Sequence, residues 1–256
     1  MTTILVSEKN VTRALNFAQT INAANQQSGK DFGRADLQRT SQDKTADTLQ
    51  GKIAEIAVAD FFENNYGFTF TPDFEIYPGQ QNTDNGNDIS SIFMDGKNQP
   101  CTFSLDIKAT RDYSKWFLLE KHKYDFGTKA FIVCKVYLPR NIEKTMSDFQ
   151  LEPVKCEIVG LIYREELQLV DGDFWFSFRR GDRLQKIRPS QKPSCTNRTE
   201  LNDWLKVNRL EDFGPPLKAM LNYGMPINWL NNSADSWLKL KENIQAGLSS
   251  SLNKSD

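Results

Sequence analysis

The chain has 256 residues, of which 39% are hydrophobic and 25% are charged, and its formal net charge is -1. This composition is typical of one large globular domain, or of one domain with an appendage. Because the net charge is nearly zero, a nucleic-acid partner would need a local basic patch. No apolar stretch approaches the length of a membrane span, and the N-terminus lacks a signal-peptide pattern, which predicts a cytoplasmic protein without a membrane partner.

The cysteines and the single histidine limit the chemistry that the chain can support. Cys101, Cys134, Cys156 and Cys195 lack C-x-x-C spacing, which favours reduced thiols over disulfides or a zinc site. The only histidine, His122, lies in a charged run. Metal nucleases that need two histidines are therefore disfavoured, as is a Ser-His-Asp or Cys-His site.

Two helices are predicted in the first quarter of the chain. The first spans about residues 7–25, with Ser7 as its N-cap. The second spans about residues 45–64 and has one apolar arc, with Lys52 on the solvated side. Glu55 falls at the boundary between these sides. Its carboxylate either faces a cleft or belongs to an ordinary surface glutamate.

A charged pair lies on a predicted strand at residues 103–110. Leu105 and Ile107 are two of its alternating apolar residues, which is the period of a half-buried strand. Asp106 and Lys108 therefore project together from the opposite face. With another acid nearby, they can hold a divalent cation and orient a water against a phosphate. A simple ion pair is the alternative interpretation.

A predicted hairpin brings a second acid towards this strand. Residues 89–94 resemble a strand, and Asp95-Gly96 is a hairpin signal that precedes the strand of Asp106. Hairpin pairing would bring Asp88, at the start of the first strand, close to Asp106. An aspartate that caps a loop is an equally good interpretation of Asp88.

The remainder of the core predicts a layered α/β fold. Residues 130–138 and 155–163 are almost continuously apolar, which is typical of strands in a sheet that is covered on both faces. We expect at least five strands in this sheet, with the helix around Glu55 packed against it.

The last third of the chain contains a basic segment. An aromatic strand candidate at residues 173–178 precedes it, and predicted N-caps at Asn197 and Ser233 begin two helices. The basic residues are interrupted by a single acid; they are Arg179, Arg180, Arg183, Lys186, Arg188 and Lys192. This charge density suits a DNA phosphate backbone, although a solvated loop is the alternative.

Three short motifs occur in a characteristic order between about residues 45 and 170. They are Gly51-x-x-x-Glu55 on a helix, Asn87-Asp88-Ile89 at the start of a strand, and Leu105-Asp106-Ile107-Lys108-Ala109-Thr110 on the next strand. Together they resemble the core of the PD-(D/E)XK nuclease superfamily, and that of the type II restriction endonucleases in particular. The resemblance implies a mixed β-sheet core flanked by helices.

The resemblance also implies a role for each motif residue. Asp88 and Asp106 would ligate Mg²⁺, with the backbone carbonyl of Ile107 as a further ligand. Lys108 would position the attacking water or help to deprotonate it, and Glu55 would complete the acid cluster. Hard oxygen ligands of this kind suit Mg²⁺.

The first acidic ligand has two alternative positions. Pro72-Asp73 matches the literal motif, but it lies farther upstream and precedes a polar loop. Asp84 is a weaker competitor within that loop. Asp88 is preferred because it begins a predicted strand.

The sequence therefore predicts a Mg²⁺-dependent nuclease that hydrolyses DNA, and first of all a site-specific restriction endonuclease. Residues 1–44 would form an N-terminal helix and loop, residues 45–170 the nuclease core, and residues 171–256 a mainly helical extension for DNA contact or dimerisation. The expected partners are double-stranded DNA, a second copy in a homodimer, and a possible cognate DNA methyltransferase.

Two alternative functions stay open. One is a structure-selective, repair or phage nuclease with the same site, and the other is a non-catalytic DNA-binding or interaction protein with this fold. The recognition sequence, the cut position and the preference for DNA over RNA are not predicted.

Overall fold

The computed structural model describes residues 1–28, 40–75, 87–142, 152–188, 191–218 and 221–252. The helices in these ranges are α1 (Glu8–Ser28), α2 (Ser41–Tyr66), α3 (Lys121–Asp125), α4 (Arg198–Asn208) and α5 (Ala234–Leu252). The strands are β1 (Thr2–Val6), β2 (Phe68–Thr69), β3 (Ser91–Met94), β4 (Lys97–Pro100), β5 (Leu105–Arg111), β6 (Trp116–Glu120), β7 (Ala130–Val136), β8 (Val154–Tyr163), β9 (Phe176–Arg179), β10 (Leu184–Ile187), β11 (Arg209–Phe213) and β12 (Leu221–Pro226).

The central sheet has the strand order β1-β8-β7-β5. β5 runs parallel to β7, whereas β8 is antiparallel to both of its neighbours. The prediction of an α/β fold with a mixed sheet is confirmed. The prediction of at least five strands in one sheet is wrong for the described residues, because the other strands belong to three smaller sheets.

Helix α2 is fixed at both ends by local chemistry. Thr40 and Asp43 form a capping box, in which each side chain accepts a hydrogen bond from the other residue's main chain. Gly67 ends the helix in the left-handed conformation, with φ of 72°. Between these caps the helix buries an apolar surface against α1 and the central sheet. The predicted helices at 7–25 and 45–64 are both confirmed.

Different layers cover the two faces of the central sheet. Ile132 and Cys134 of β7 belong to the core that α1 and α2 complete, whereas Phe131 and Val133 belong to a second, aromatic core. The second core is built largely from the sheet of β6, β12 and β9. The prediction that the sheet is covered on both faces is confirmed. The second layer, however, is mostly β-sheet.

The last third of the chain is of mixed structure, which corrects the prediction of a mainly helical extension. Residues 171–256 contain the strands β9 to β12 as well as α4 and α5. Phe176 and Phe178 alternate with exposed residues, and this period favours a strand. Since β12 pairs with both β9 and β6, this segment shares a sheet with the residues before 170.

The predicted hairpin has the expected turn but a different second strand. Asp95 and Gly96 both have positive φ, as a tight hairpin turn requires. The partner of β3 is β4, which ends at Pro100, a residue without a backbone N–H. β5 begins at Leu105 and joins the central sheet beside β7. The pairing of β3 with the strand of Asp106 is therefore wrong.

Two further sequence expectations concern cysteines and membrane segments. All four cysteines are free thiols, and Cys195 is the least buried of them. Among the described residues, no helix is long and apolar enough to cross a membrane.

Candidate active site

The site forms at the edge of β5 that does not face β7. There the main-chain N–H of Asp88 donates to the carbonyl of Leu105 at 2.8 Å. The N–H of Leu105 in turn donates to Asn87 Oδ1 at 3.1 Å. These two bonds hold the 87–88 segment beside β5, so Asp88 reaches the strand without the predicted hairpin.

The carboxylate of Asp88 is fixed by the next part of the strand. Its Oδ2 accepts a hydrogen bond from the N–H of Ile107 at 2.5 Å. In a strand the N–H and the carbonyl of one residue point to the same side, so the Ile107 carbonyl also faces this edge. The structure therefore places the three predicted oxygen ligands of Asp88, Ile107 and Asp106 in one neighbourhood.

Asp106 and Lys108 form the ion pair expected from their alternation along β5. The ammonium of Lys108 contacts Asp106 Oδ2, an oxygen that is shielded from water and accepts no well-formed hydrogen bond from the residues described. Asp106 is only 4% exposed. Both side chains project to the same side of the strand, while Leu105 and Ile107 face the helical core. The prediction that the charged pair shares one face is confirmed.

The electrostatics of the cluster show an excess of negative charge. The pKa of Asp88 is raised from 3.8 to about 6, first by burial of its carboxyl group and then by the negative charge of Asp106. The positive charge of Lys108 and the hydrogen bond from Ile107 act in the opposite direction. Two carboxylates therefore share one ammonium group. A bound cation would relieve the repulsion between them.

The donor set fits a magnesium ion. No group of three or more His, Cys, Asp or Glu side chains within the described ranges is placed to hold a metal. Mg²⁺ does not need such a cage, because it commonly uses one or two carboxylates and fills its other positions with water and substrate phosphate. Asp88, Asp106 and the Ile107 carbonyl supply this smaller set of hard oxygen ligands.

Glu55, Asp88 and Asp106 do not form a group of three acids placed to hold a metal. The carboxylate of Glu55 makes an ion pair with Lys52 on the same helix, at 2.7 Å. Glu55 is 9% exposed, so it is not an ordinary surface glutamate. The side chain of Lys52 is only 16% exposed and lies 5.3 Å from the ring of Phe17, which corrects its predicted place on the solvated side. The role of Glu55 as a metal ligand stays a prediction.

The alternative acids are less well placed than Asp88. Asp73 is exposed, and its Oδ1 accepts a hydrogen bond from the N–H of Glu75 at 2.7 Å, which is a local turn contact. Asp84 lies outside the described residues. Asp88 is thus the acid that the structure places beside Asp106.

The predicted DNA-binding residues all lie on the surface. Those exposed are Arg179, Arg180, Arg183, Lys186 and Arg188, and Lys192 is exposed as well. Lys186 pairs with Glu211 of β11 at 3.1 Å, and Arg183 donates to the carbonyl of Gly214 at 2.9 Å. Part of the basic charge is therefore balanced within the two-stranded sheet of β10 and β11. DNA contact by this segment stays a prediction.

Asn87 is a site residue to which the sequence analysis assigned no role. Its Oδ1 accepts hydrogen bonds from the N–H of Leu105 and, at 3.3 Å, from the N–H of Ile89. The bond to Ile89, two residues on, is that of an Asx-turn. The Asn-Asp-Ile order is the signal that could have indicated this turn before a strand.

No family model matches the chain, and the searches of curated proteins and of solved structures give no match either. The resemblance to the PD-(D/E)XK nucleases therefore rests on the short sequence motifs alone.

Proposed function

We propose that this chain is a Mg²⁺-dependent endonuclease that hydrolyses DNA phosphodiester bonds. The observation that carries the proposal is the cluster of Asp88, Asp106 and Lys108 at the edge of β5, in which two carboxylates share one ammonium group. A site that positions a water against a phosphate needs a cation and a positively charged side chain close together on a rigid element. β5 supplies that element.

Each residue of the cluster would have its own task. Asp88 and Asp106, with the carbonyl of Ile107, would hold the ion. When bound, Mg²⁺ would lower the pKa of a water and offset the negative charge of the phosphate. Lys108 would orient the attacking water, and the N–H of Ile107 keeps the Asp88 carboxylate in place.

Within this class we favour a site-specific restriction endonuclease that acts as a homodimer on double-stranded DNA. The support is the resemblance of the three motifs to the type II enzymes. A two-fold dimer is also a natural way to cut both strands of a palindrome. Methylation by a cognate DNA methyltransferase would then protect the recognition site. A structure-selective or repair nuclease would use the same cluster on other substrates.

The test is digestion of unmethylated phage DNA by the purified chain in Mg²⁺, with parallel reactions in EDTA and with Lys108→Ala. Lys97→Ala is a matched control, because Asp95-Gly96-Lys97 is the only other acid-x-Lys triplet in the sequence. Lys97 is exposed on β4. Thermal unfolding of every variant establishes that it is folded.

We expect discrete bands from the wild type and from Lys97→Ala, and none in EDTA or from Lys108→Ala. A smear with the same dependence would favour the structure-selective or nonspecific nuclease. DNA binding without cleavage, across several substrates and divalent metals, would favour the non-catalytic alternative. Cleavage that Lys108→Ala leaves unchanged would show that the site is elsewhere.

A further inference from the structure

A cleft of about 620 Å³ lies between the loop that joins β5 to β6 and the two-stranded sheet of β10 and β11. Tyr113 and Lys115 contribute from the loop, Gln185 and Phe213 from the two-stranded sheet, and Ile227 from the turn after β12. Its volume is within the usual range of small-ligand sites. The proposed active site uses none of these residues.

The cleft adjoins the sheet face that carries Lys108. In the parallel register, Lys108 is opposite Val133 and Thr110 is opposite Lys135. Paired strand residues project to the same face, so Lys135, which lines the cleft, shares a face with Lys108. The two positions differ by two residues along the strands, or roughly 7 Å. The cleft therefore opens on the same side of the central sheet as the proposed active site.

Two lysines make this end of the cleft suitable for an anion. Lys115 and Lys135 both line it, and neither forms an ion pair with any residue that the structure describes. Withdrawal from water lowers the pKa of Lys135, and the nearby charge of Lys115 lowers it further. Glu157 and Asp112 act in the opposite direction, but Glu157 is paired with Lys155 at 2.8 Å. A phosphate would offset the repulsion between the two ammonium groups.

The rest of the cleft suits a planar group that carries an N–H donor. Tyr113 is 53% exposed at its rim, where the guanidinium of Arg140 lies 5.7 Å from the ring centroid. Phe213 and Ile187 provide apolar wall. Gln185 Oε1 is buried and accepts no hydrogen bond from any residue in the described ranges. A purine or pyrimidine offers a ring face that can stack on Tyr113 and an N–H group that can donate to Gln185 Oε1.

We propose that this cleft binds one nucleotide, with its phosphate against Lys115 and Lys135 and its base against Tyr113. The nucleotide is a unit of a DNA strand, and this choice of source rests on the proposed nuclease function. The recognition of a base and a phosphate by the cleft does not depend on cleavage. The cleft thus extends the contact with the substrate strand beyond the scissile phosphate.

The test measures binding without cleavage. Fluorescence anisotropy of labelled 12-nucleotide single strands and duplexes is recorded in EDTA, over a series of salt concentrations. The variants are the double substitution Lys115→Ala with Lys135→Ala, Tyr113→Ala, Tyr113→Phe, and Lys97→Ala as the surface-charge control. Competition by dAMP, measured in parallel, reports on the free nucleotide as the source.

We expect the double lysine variant to bind DNA roughly tenfold more weakly, with the slope of log Kd against log salt reduced by about 1 for each lysine. Tyr113→Ala should also weaken binding roughly tenfold, but it should leave the salt slope unchanged, since stacking carries no charge. Tyr113→Phe should retain wild-type affinity, because it keeps the ring. Lys97→Ala should bind like the wild type.

Wild-type affinity for DNA and for dAMP in all the cleft variants would overturn the inference. If the cleft variants lose dAMP binding but bind DNA like the wild type, the cleft binds a free nucleotide, and its assignment to a DNA strand is overturned. If no substrate is ever cleaved and the Tyr113 dependence persists, the nuclease proposal fails while the nucleotide cleft stands. If cleavage requires Lys108 but DNA binding is unaffected by Tyr113→Ala, the nuclease proposal stands and the nucleotide cleft fails.

Discussion

Two buried acid–lysine sites differ in their charge balance. On α2, the carboxylate of Glu55 is matched by the single ammonium of Lys52 at 2.7 Å. At the edge of β5, Lys108 serves both Asp106 and Asp88. A balanced pair inside a protein is complete by itself, whereas an unbalanced cluster gains from a further cation. This difference is why we propose the metal site on β5 and a structural role for the pair on α2.

The largest expected difference between the two regions is in DNA cleavage. Asp106→Asn removes a charged ligand and should lower the single-turnover rate in Mg²⁺ by at least about 100-fold. Glu55→Gln alters the balanced pair and should keep the rate within about fivefold of the wild type, a margin of roughly 1 kcal/mol in the barrier. Quenched-flow or gel assays at saturating enzyme measure both rates. Equal losses in the two variants would instead support Glu55 as the third metal ligand.

The next effect concerns the stability of the protein without metal. The pKa of Asp88 is raised in the folded state to about 6 from 3.8. The protonated form of Asp88 therefore favours folding. Its stabilising contribution to the free energy of unfolding is fully present below pH 3.8 and is lost as the pH rises through about 6. Asp88→Asn cannot ionise and can still accept the hydrogen bond from Ile107. It should raise the free energy of unfolding at pH 7.5 by on the order of 2 kcal/mol.

Urea unfolding in EDTA, at intervals from pH 4 to pH 8, measures this effect. The gain in Asp88→Asn should shrink as the pH falls below about 6. A variant that is less stable than the wild type at pH 7.5 would indicate that the charged carboxylate mainly holds β5 together.

A smaller effect is expected when the balanced pair on α2 is broken. Lys52→Ala removes the ammonium group that pairs with the buried Glu55 carboxylate, and should lower the free energy of unfolding by about 1 to 2 kcal/mol. Lys206→Ala is a suitable control, because Lys206 pairs with Asp203 on the surface, where such pairs contribute less than about 1 kcal/mol. Thermal or urea unfolding compares the two. An equal, small effect in both variants would show that the α2 pair is effectively solvated.

The sequence predicted those parts of the molecule that depend on local patterns. The apolar period of α2, the apolar runs of β7 and β8, and the alternation of β5 each indicated an element that the structure contains. The N-cap of α4 was predicted as well, and the N–H of Glu200 donates to Asn197 Oδ1 at 3.0 Å. In these cases neighbouring residues carry the whole signal.

What the sequence did not predict depends on contacts between distant residues. β1 pairs with β8, more than 150 positions away in the register Thr2 to Ile158, and nothing in five residues specifies that partner. β5 pairs with β7 in parallel, although the turn at residues 95–96 favoured a local hairpin. Lys52 was assigned to solvent because its contact with Phe17 comes from another helix.

The candidate site combines the two situations. Alternation placed Asp106 and Lys108 on one face of a strand, and this was sufficient to identify the pair. The approach of Asp88 was expected for the wrong reason, because no hairpin is involved: its N–H donates to the Leu105 carbonyl, and its carboxylate accepts from the Ile107 N–H. The charge imbalance could not be predicted, since it depends on which acids lie beside Lys108 in the folded chain.

The most direct test of this imbalance is to count bound Mn²⁺, a paramagnetic substitute for Mg²⁺, by the loss of its free-ion electron paramagnetic resonance signal. The titration uses the wild type, Asp106→Asn and Glu55→Gln, without DNA. We expect one ion per chain in the wild type and in Glu55→Gln, and at least tenfold weaker binding in Asp106→Asn. Equal binding by the wild type and Asp106→Asn, or loss of the ion in Glu55→Gln alone, would contradict the assignment of the metal site to β5.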